Sequence, residues 1–525
     1  MYGTQTRKPY PFLNLEPSRA AARQDTYSPI SLSIANALPA TPKSASSLRT
    51  PLSPRSPGFT RMLHKARSLT SFGGKKSRRG VDSGIASRIP PELWLKVFVC
   101  IPLFQLPAVT LTCRTFWSLA QPLLFSTVST HPAELPSLPL RGPQVVKYRK
   151  RIIDHVDFFF SPRIAPSVHE CCIAPPSSDQ DGASSDDLID TIFDSLPLLP
   201  NLKILNCRCI RLTPRRLAVL QNLQLTAVSL EMCFGEMTDF AAGPSVALKT
   251  VTFKYPDESL RWDESNPCLF FLSPQHLERL HATTTSVLPV VSKSEPFRKL
   301  HTLELPIECI VNDEFMPALA QCPAVEHLSL HTHELIPRSL IESLPEGILP
   351  LLSSYSGPHH YAAPFLRNRP AKNVDISLRC NPARLEASLK GIDRTLASLS
   401  FSLDGTELPA PLFGTIHASF PALKSLAVSG PALSSADMNN VLGRVPAHYT
   451  LQELTLRIQG RDKFNLWIPP EEAAADAASC FKKMLPALLR TYPSLRAVRL
   501  LYGQENGWAM WRRSSGSGLF VKVSA

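Results

Sequence analysis

The sequence predicts an α/β protein in three parts: a basic arm, a short three-helix motif and an irregular strand-and-helix solenoid. Three observations carry that expectation. A phrase of the form Leu-x-x-Leu-x-apolar recurs at spacings of 23, 23, 29, 23 and 25 residues, from Leu202 through Leu225, Leu248, Leu277 and Leu300 to Val325. An apolar stretch opens abruptly at Arg88. Everything before it is rich in Ser, Thr and Pro and has no sustained apolar period. The 525 residues, 44% of them apolar, suffice for several compact units, and 50 prolines favour short elements joined by rigid turns.

Residues 1–87 form the arm. They hold 14 Lys and Arg against three acids, Glu16, Asp25 and Asp82, so +11 of the formal +13 charge sits there and the body is nearly neutral. Such a segment cannot bury enough apolar surface to offset its ordering entropy, and disorder is expected. Ser28, Thr41, Thr50, Ser53 and Ser56 each precede proline, and Ser68 follows Arg67 in a KARSLTS context; all six are candidate phosphosites. Each phosphate would cancel about 1.5–2 positive charges. Lys75-Lys76-Ser77-Arg78-Arg79 reads either as a nuclear localisation signal or as a solvated basic stretch.

Residues 88–128 read as three short helices. Pro90 and Pro91 suit a helix entry, where a missing N–H costs little. The first helix is expected over Glu92–Ile101, the second from Pro107 to about Cys113, and the third from Arg114 past Pro122. On the first, Leu93, Val97 and Ile101 share one face, and Trp94 and Phe98 share another. A helix apolar on two faces needs burial from two sides, which forty residues cannot supply internally.

These residues resemble an F-box. Ile89-Pro90 stands for the Leu-Pro opening, Glu92-Leu93 for the Glu-Leu pair, and Val97-Phe98 for the apolar pair. Leu106 keeps the second-helix leucine, Leu111, Cys113 and Arg114 keep the late signature, and Phe116 takes the usual tryptophan position with Trp117 beside it. Gln105 stands where an acidic residue is common, and the closing SLAQPLLFSTV is similar to that of fungal F-box proteins. The resemblance implies docking on the Skp adaptor, and through it on a cullin scaffold, by Ile89, Pro90, Leu93, Val97, Phe98, Leu106, Leu111, Cys113, Phe116 and Trp117. The chain would then be the substrate-recognition subunit of an SCF-type ubiquitin ligase, with an unidentified protein as substrate.

After a Pro-rich linker at 129–145, the solenoid is expected over 146–510. Leucine-rich repeats have periods of about 20–29 residues and open with Leu-x-x-Leu-x-Leu, one strand per repeat. Further copies begin at Leu396, Leu423, Leu451 and Leu495, with weak ones in LPLLSSY (349–355) and AKNVDISL (371–378). The match is to an irregular class similar to the ribonuclease-inhibitor type, and its pairing with the helical motif again resembles fungal F-box proteins. Residues 161–186 read as a flexible insertion, DLIDTIFDSL (187–196) and 313–320 as outer helices, and EEAAADAASCFKKMLPALLR as a helix after Pro470. The tail 511–525 either closes the last repeat through FVKV or stays apart from it.

Signatures of catalysis are missing. The nucleotide-binding glycine motifs and Gly-x-Ser-x-Gly do not occur. The histidine pairs His331/His333 and His359/His360 lack companions for a metal site and read as surface residues; Cys207 and Cys209 lie on or beside an expected strand and both read as buried in the solenoid. No catalytic residue, metal or cofactor is expected. Lys203, Glu278, Glu304, Glu326, Lys424 and Arg457 lie between core leucines as candidate exposed positions of mixed sign. Scattered cysteines and the absence of a long apolar run point to a cytoplasmic or nuclear protein without a membrane partner. The neutral body argues against nucleic acid. The alternative to a ligase receptor is a non-catalytic leucine-rich scaffold outside such a complex.

Overall fold

In an extended chain alternate side chains face the same way, so each leucine phrase can seal one face of a sheet and leave the other open. The computed structural model describes residues 89–523, apart from 131–142, 176–182, 236–245, 256–269, 332–342, 405–409, 434, 459–469, 503–506 and 515–517. The arm with its six candidate phosphosites, the basic run 75–79 and His333 lie outside the described residues. The protein is mixed α/β, with thirteen α-helices among those residues and a large, mostly parallel sheet. No described helix is long and apolar enough to cross a membrane.

The chain divides into two compact units, Met1–Ala120 and Gln121–Ala525. The described part of the first holds helix α1 (Pro91–Val99), helix α2 (Leu106–Thr110) and most of α3 (Arg114–Leu124). Pro91 opens α1, and the Pro90 carbonyl accepts from the Leu93 N–H at 3.0 Å. The expected boundary at 128 shifts: residues 121–128 belong to the second unit, and Thr127–Ser129 is a strand rather than motif end and linker. Parallel pairing of Thr127 with Glu170 and of Ser129 with Cys172 is the cause.

The strands of the second unit run in chain order. β1 (Thr127–Ser129), β2 (Glu170–Ile173) and β3 (Ile204–Arg208) open it. β4 (Arg211–Leu212), β5 (Ala227–Glu231), β6 (Phe234–Gly235) and β7 (Thr250–Lys254) follow. Next come β8 (Arg279–Ala282), β9 (Thr302–Pro306), β10 (His327–His331), β11 (Ser354–Gly357) and β12 (Asn373–Cys380). β13 (Ser398–Leu403), β14 (Ser425–Leu433), β15 (Glu453–Ile458), β16 (Ala497–Tyr502), β17 (Gly507–Arg513) and β18 (Phe520–Val523) complete it. All but β4 and β6 form one 16-stranded sheet in sequential order. Pairing is parallel from β1 to β16, and β17 and β18 close the end antiparallel.

Every leucine phrase becomes a strand, including the weak copies, which are β11 and β12. Parallel strands need crossovers, and helices such as Pro382–Leu389, Ala410–Ser419 and Pro470–Thr491 supply them. Alternate strand residues (Leu205, Val228, Val251, Leu280, Leu303, Leu328) join helix residues (Leu385, Ile416, Leu488) in one continuous core reaching from Val128 to Trp511. The period is repeated in the backbone as well. Cys209 and Met232 both take positive φ of 52°, an uncommon state for non-glycine residues, and each turn leads into a strand of the small β4–β6 pair.

Two expectations change here. The insertion placed at 161–186 contains β2, with Cys171 and Ile173 buried, because β1 and β3 flank it and satisfy both its edges. Helix Ala183–Ser195 also begins earlier than the apolar pattern indicated. Its carboxylates Asp186 and Asp190 hold the fully buried Arg216 at 3.0 and 2.6 Å, tying it to helix Pro214–Gln221. The FVKV tail closes the sheet as β18.

Candidate protein-interaction surfaces

Two surfaces follow from this arrangement, one in each unit. In the first, the face of α1 carrying Trp94 and Phe98 turns inward against α3. The ring of Phe116 lies 4.6 Å from that of Trp94 and 5.2 Å, edge-on, from that of Phe98. Phe98 and Leu106 are 1% exposed. Away from that packing, Leu93 is 49%, Val97 48%, Val99 70%, Leu103 43%, Phe104 51% and Leu111 70% exposed.

The residues singled out from sequence therefore separate into three groups. Pro90, Leu93, Val97 and Leu111 are exposed; Ile89, Cys113, Phe116 and Trp117 are half-buried; Phe98 and Leu106 are buried within the chain. The last two maintain the motif's own interior and are not available to a partner as surface. Cys113 accepts the Phe116 N–H through Sγ at 3.4 Å, steadying the start of α3. Sequence reasoning missed Val99, Leu103 and Phe104. For Leu103 and Phe104 the signal was present, since apolar residues between α1 and α2 have no helical face to serve.

In the second unit the open face of the sheet is polar. In register across neighbouring strands lie Asn206, Ser229, Thr252, His281, Glu304, Ser329, Ser356, Asp375 and Ser400. Short hydroxyl side chains dominate, so backbone-sized partners can approach closely. At the centre His281 Nδ1 lies 2.5 Å from Glu304 Oε2, and the His281 ring stacks on His331 at 5.2 Å. The hydrogen bond from His281 holds the Glu304 carboxyl below its ordinary pKa, and the nearby charge of His281 and His331 adds to this.

Of the six candidate positions, Glu304 and Arg457 lie on strands of this face, whereas Lys203, Glu278, Glu326 and Lys424 sit where strands begin, along one rim. There Lys249 Nζ reaches Glu278 Oε1 at 2.9 Å and lowers the Glu278 pKa by that hydrogen bond. The pairing is legible only once the strands are in register, because the two residues are 29 apart in sequence.

Several strand and helix cysteines are buried, whereas Cys100 is exposed. Desolvation pushes the Cys322 thiol up to about 12 and that of Cys380 to about 11, and Cys171 rises further. Cys207 is buried and Cys209 half-buried. His359 and His360 are half-buried rather than at the surface, and burial lowers the pKa of both. Among the described residues, no group of three or more His, Cys, Asp or Glu side chains is arranged to hold a metal ion.

A buried histidine pair went unnoticed in the sequence. The rings of His417 and His448 stand 4.6 Å apart, with Tyr492 Oη 3.3 Å from His417 Nε2 and the Phe420 carbonyl 3.1 Å from His448 Nε2. Desolvation, and then the neighbouring His448, bring the His417 pKa down to about 4.

Compared with known proteins, the chain matches no protein-family model, and no curated protein sequence matches it significantly.

Proposed function

We propose that this protein is the substrate receptor of an SCF-type ubiquitin ligase, docking on a Skp adaptor through its first unit and recruiting a protein substrate on the open sheet face of its second. The observation that carries the reading is the outward apolar face of α1 and the α1–α2 segment. Six large apolar side chains between residues 93 and 111 are 43–70% exposed, more than a small unit ordinarily leaves to water without a partner. The order of residues from Ile89 to Trp117 resembles an F-box, and the sheet that follows, with one leucine phrase in each of its strands from β3 to β16, fits a leucine-rich-repeat solenoid. The chain's contribution is positioning; ubiquitin chemistry belongs to other subunits.

Co-expression of the full chain with a Skp adaptor tests this. Stoichiometric capture is expected, lost on deletion of residues 88–120, which spares the second unit, and weakened by Leu93→Asp or Phe104→Asp. Both positions are exposed, so these substitutions should leave the melting temperature unchanged. Capture that survives both substitutions removes this face from the interface. A folded protein that captures no adaptor is instead a non-catalytic scaffold whose sheet binds its partner outside a ligase.

A further inference from the structure

The open face of the sheet is not uniform along its length. Near its centre the side chains are mostly hydroxyls and His281–Glu304; at the end formed by β15, β16 and β17, arginine takes over. Strand alternation directs Leu454, Leu456, Val498, Leu500, Ala509 and Trp511 into the core. The residues between them, Arg457, Arg499 and Arg512, therefore stand on the opposite, open side. Glu453 is the single acid within these three strands.

Register puts the three guanidinium-bearing positions on a diagonal. Thr455 pairs with Arg499 and Arg457 with Leu501, so Arg457 is one strand over and two residues along from Arg499. Arg499 pairs with Met510 and Ala497 with Arg512, so the same step leads on to Arg512. Strand spacing and rise make each step about 8 Å at the backbone. Among the described residues none of the three has a carboxylate within salt-bridge distance, and Arg457 Nε is shielded from solvent without an acceptor. Arg499 instead lies over the Trp508 ring, its guanidinium carbon 5.2 Å from the centroid, a cation–π contact on this face.

From this geometry we infer that the β15–β17 end of the open face binds an acidic, extended peptide segment of the partner protein, with carboxylates at alternate positions along the diagonal Arg457–Arg499–Arg512 and an apolar side chain beside Trp508. Alternate residues of an extended chain are about 6.6–6.8 Å apart, close enough to the arginine step for flexible side chains to bridge. Separate charges at that interval suit three separated arginines better than one concentrated charge does. The chain's own arm is excluded as the occupant, because residues 1–87 carry +11. The inference rests on the proposed role of the open face in binding a partner, and deepens it by naming the chemistry of that partner.

The test is fluorescence anisotropy on the full-length protein with three labelled peptides. One carries Glu at alternate positions around a single Leu, the second has Gln for each Glu, and the third has phosphoserine for each Glu. The Glu peptide is expected to bind, with an affinity that falls as salt rises. The Gln peptide and the double variant Arg499→Gln/Arg512→Gln should each bind at least about tenfold more weakly. The single variant Arg512→Gln, at an exposed position, reads out the same loss in smaller measure should the double variant fail to fold. Lys203→Gln, at the far end of the sheet, should leave binding unchanged. Failure of the Glu peptide to bind, equal binding of the Gln peptide, or undiminished binding by the folded arginine variants would overturn the inference. So would a phosphoserine peptide binding more than about tenfold tighter than the Glu peptide. Adaptor capture plays no part in this measurement, so failure here and failure of adaptor docking are separable.

Discussion

Between residues 93 and 111 the first unit leaves leucine, valine and phenylalanine side chains 43–70% exposed, whereas the open face of the sheet in the second unit shows mainly serine, threonine and charged groups. Chain length explains the difference. Among the described residues, a few short helices have one interior, filled by Trp94, Phe98 and Phe116, and no second layer for the remaining apolar face. The 16-stranded sheet has helices to seal its leucines and can afford a polar surface. Apolar area in the first unit is thus the basis for proposing a partner there, while in the second it is already used, and the proposed recognition there would rest on shape and charge.

That contrast can be broken first by truncation. Phe401→Ala, in the sealed core of β13, should cost about 3–5 kcal/mol in urea unfolding. Leu111→Ala, 70% exposed, should stay within about 0.5 kcal/mol. Comparable losses at the two sites would mean that the first unit's apolar face is not a free surface.

A second, smaller effect comes from the buried histidine pair. His417 is neutral when folded, with its pKa held near 4, and regains an ordinary value near 6.5 when the chain unfolds. Its contribution is complete above about pH 6.5 and is lost progressively as pH falls to 4, on the order of 3 kcal/mol in all. Burial depresses His359 and His360 as well, in the same direction. Denaturant midpoints measured between pH 7 and pH 4 should therefore decline, and His417→Phe should flatten the curve.

The smallest effect sharpens the comparison at the rim. Lys249→Ala removes an exposed ion pair with Glu278 and should cost under about 1 kcal/mol, less still in high salt. A larger, salt-insensitive loss would place that rim among the structural rather than the solvated parts of the sheet.

Much of the strand order could be read from leucine spacing, because a phrase that repeats at the length of one strand, one helix and two turns has few other uses. The weak copies at 349–355 and 371–378 became strands because their neighbours complete the hydrogen-bond ladder on both sides. The His-Glu-Cys-Cys-Ile stretch carries no leucine phrase, and only the strands on either side of it made β2. In the helical motif the residue types were legible but their orientation was not: Leu93 and Phe98 both read as burial-seeking, and packing against Phe116 selected one of them.

What the sequence determined by itself was local: which segments extend, which coil into helices, where proline ends them, and how charge divides between arm and body. Tertiary structure decided which distant residues meet. Lys249 reaches Glu278 and His281 reaches Glu304 across neighbouring strands, His417 meets His448 and Tyr492, and three arginines from three strands line up on one face. Periodicity is a property of neighbours along the chain, but a site depends on strand register, and register is fixed only when every leucine of the sheet has found the same core.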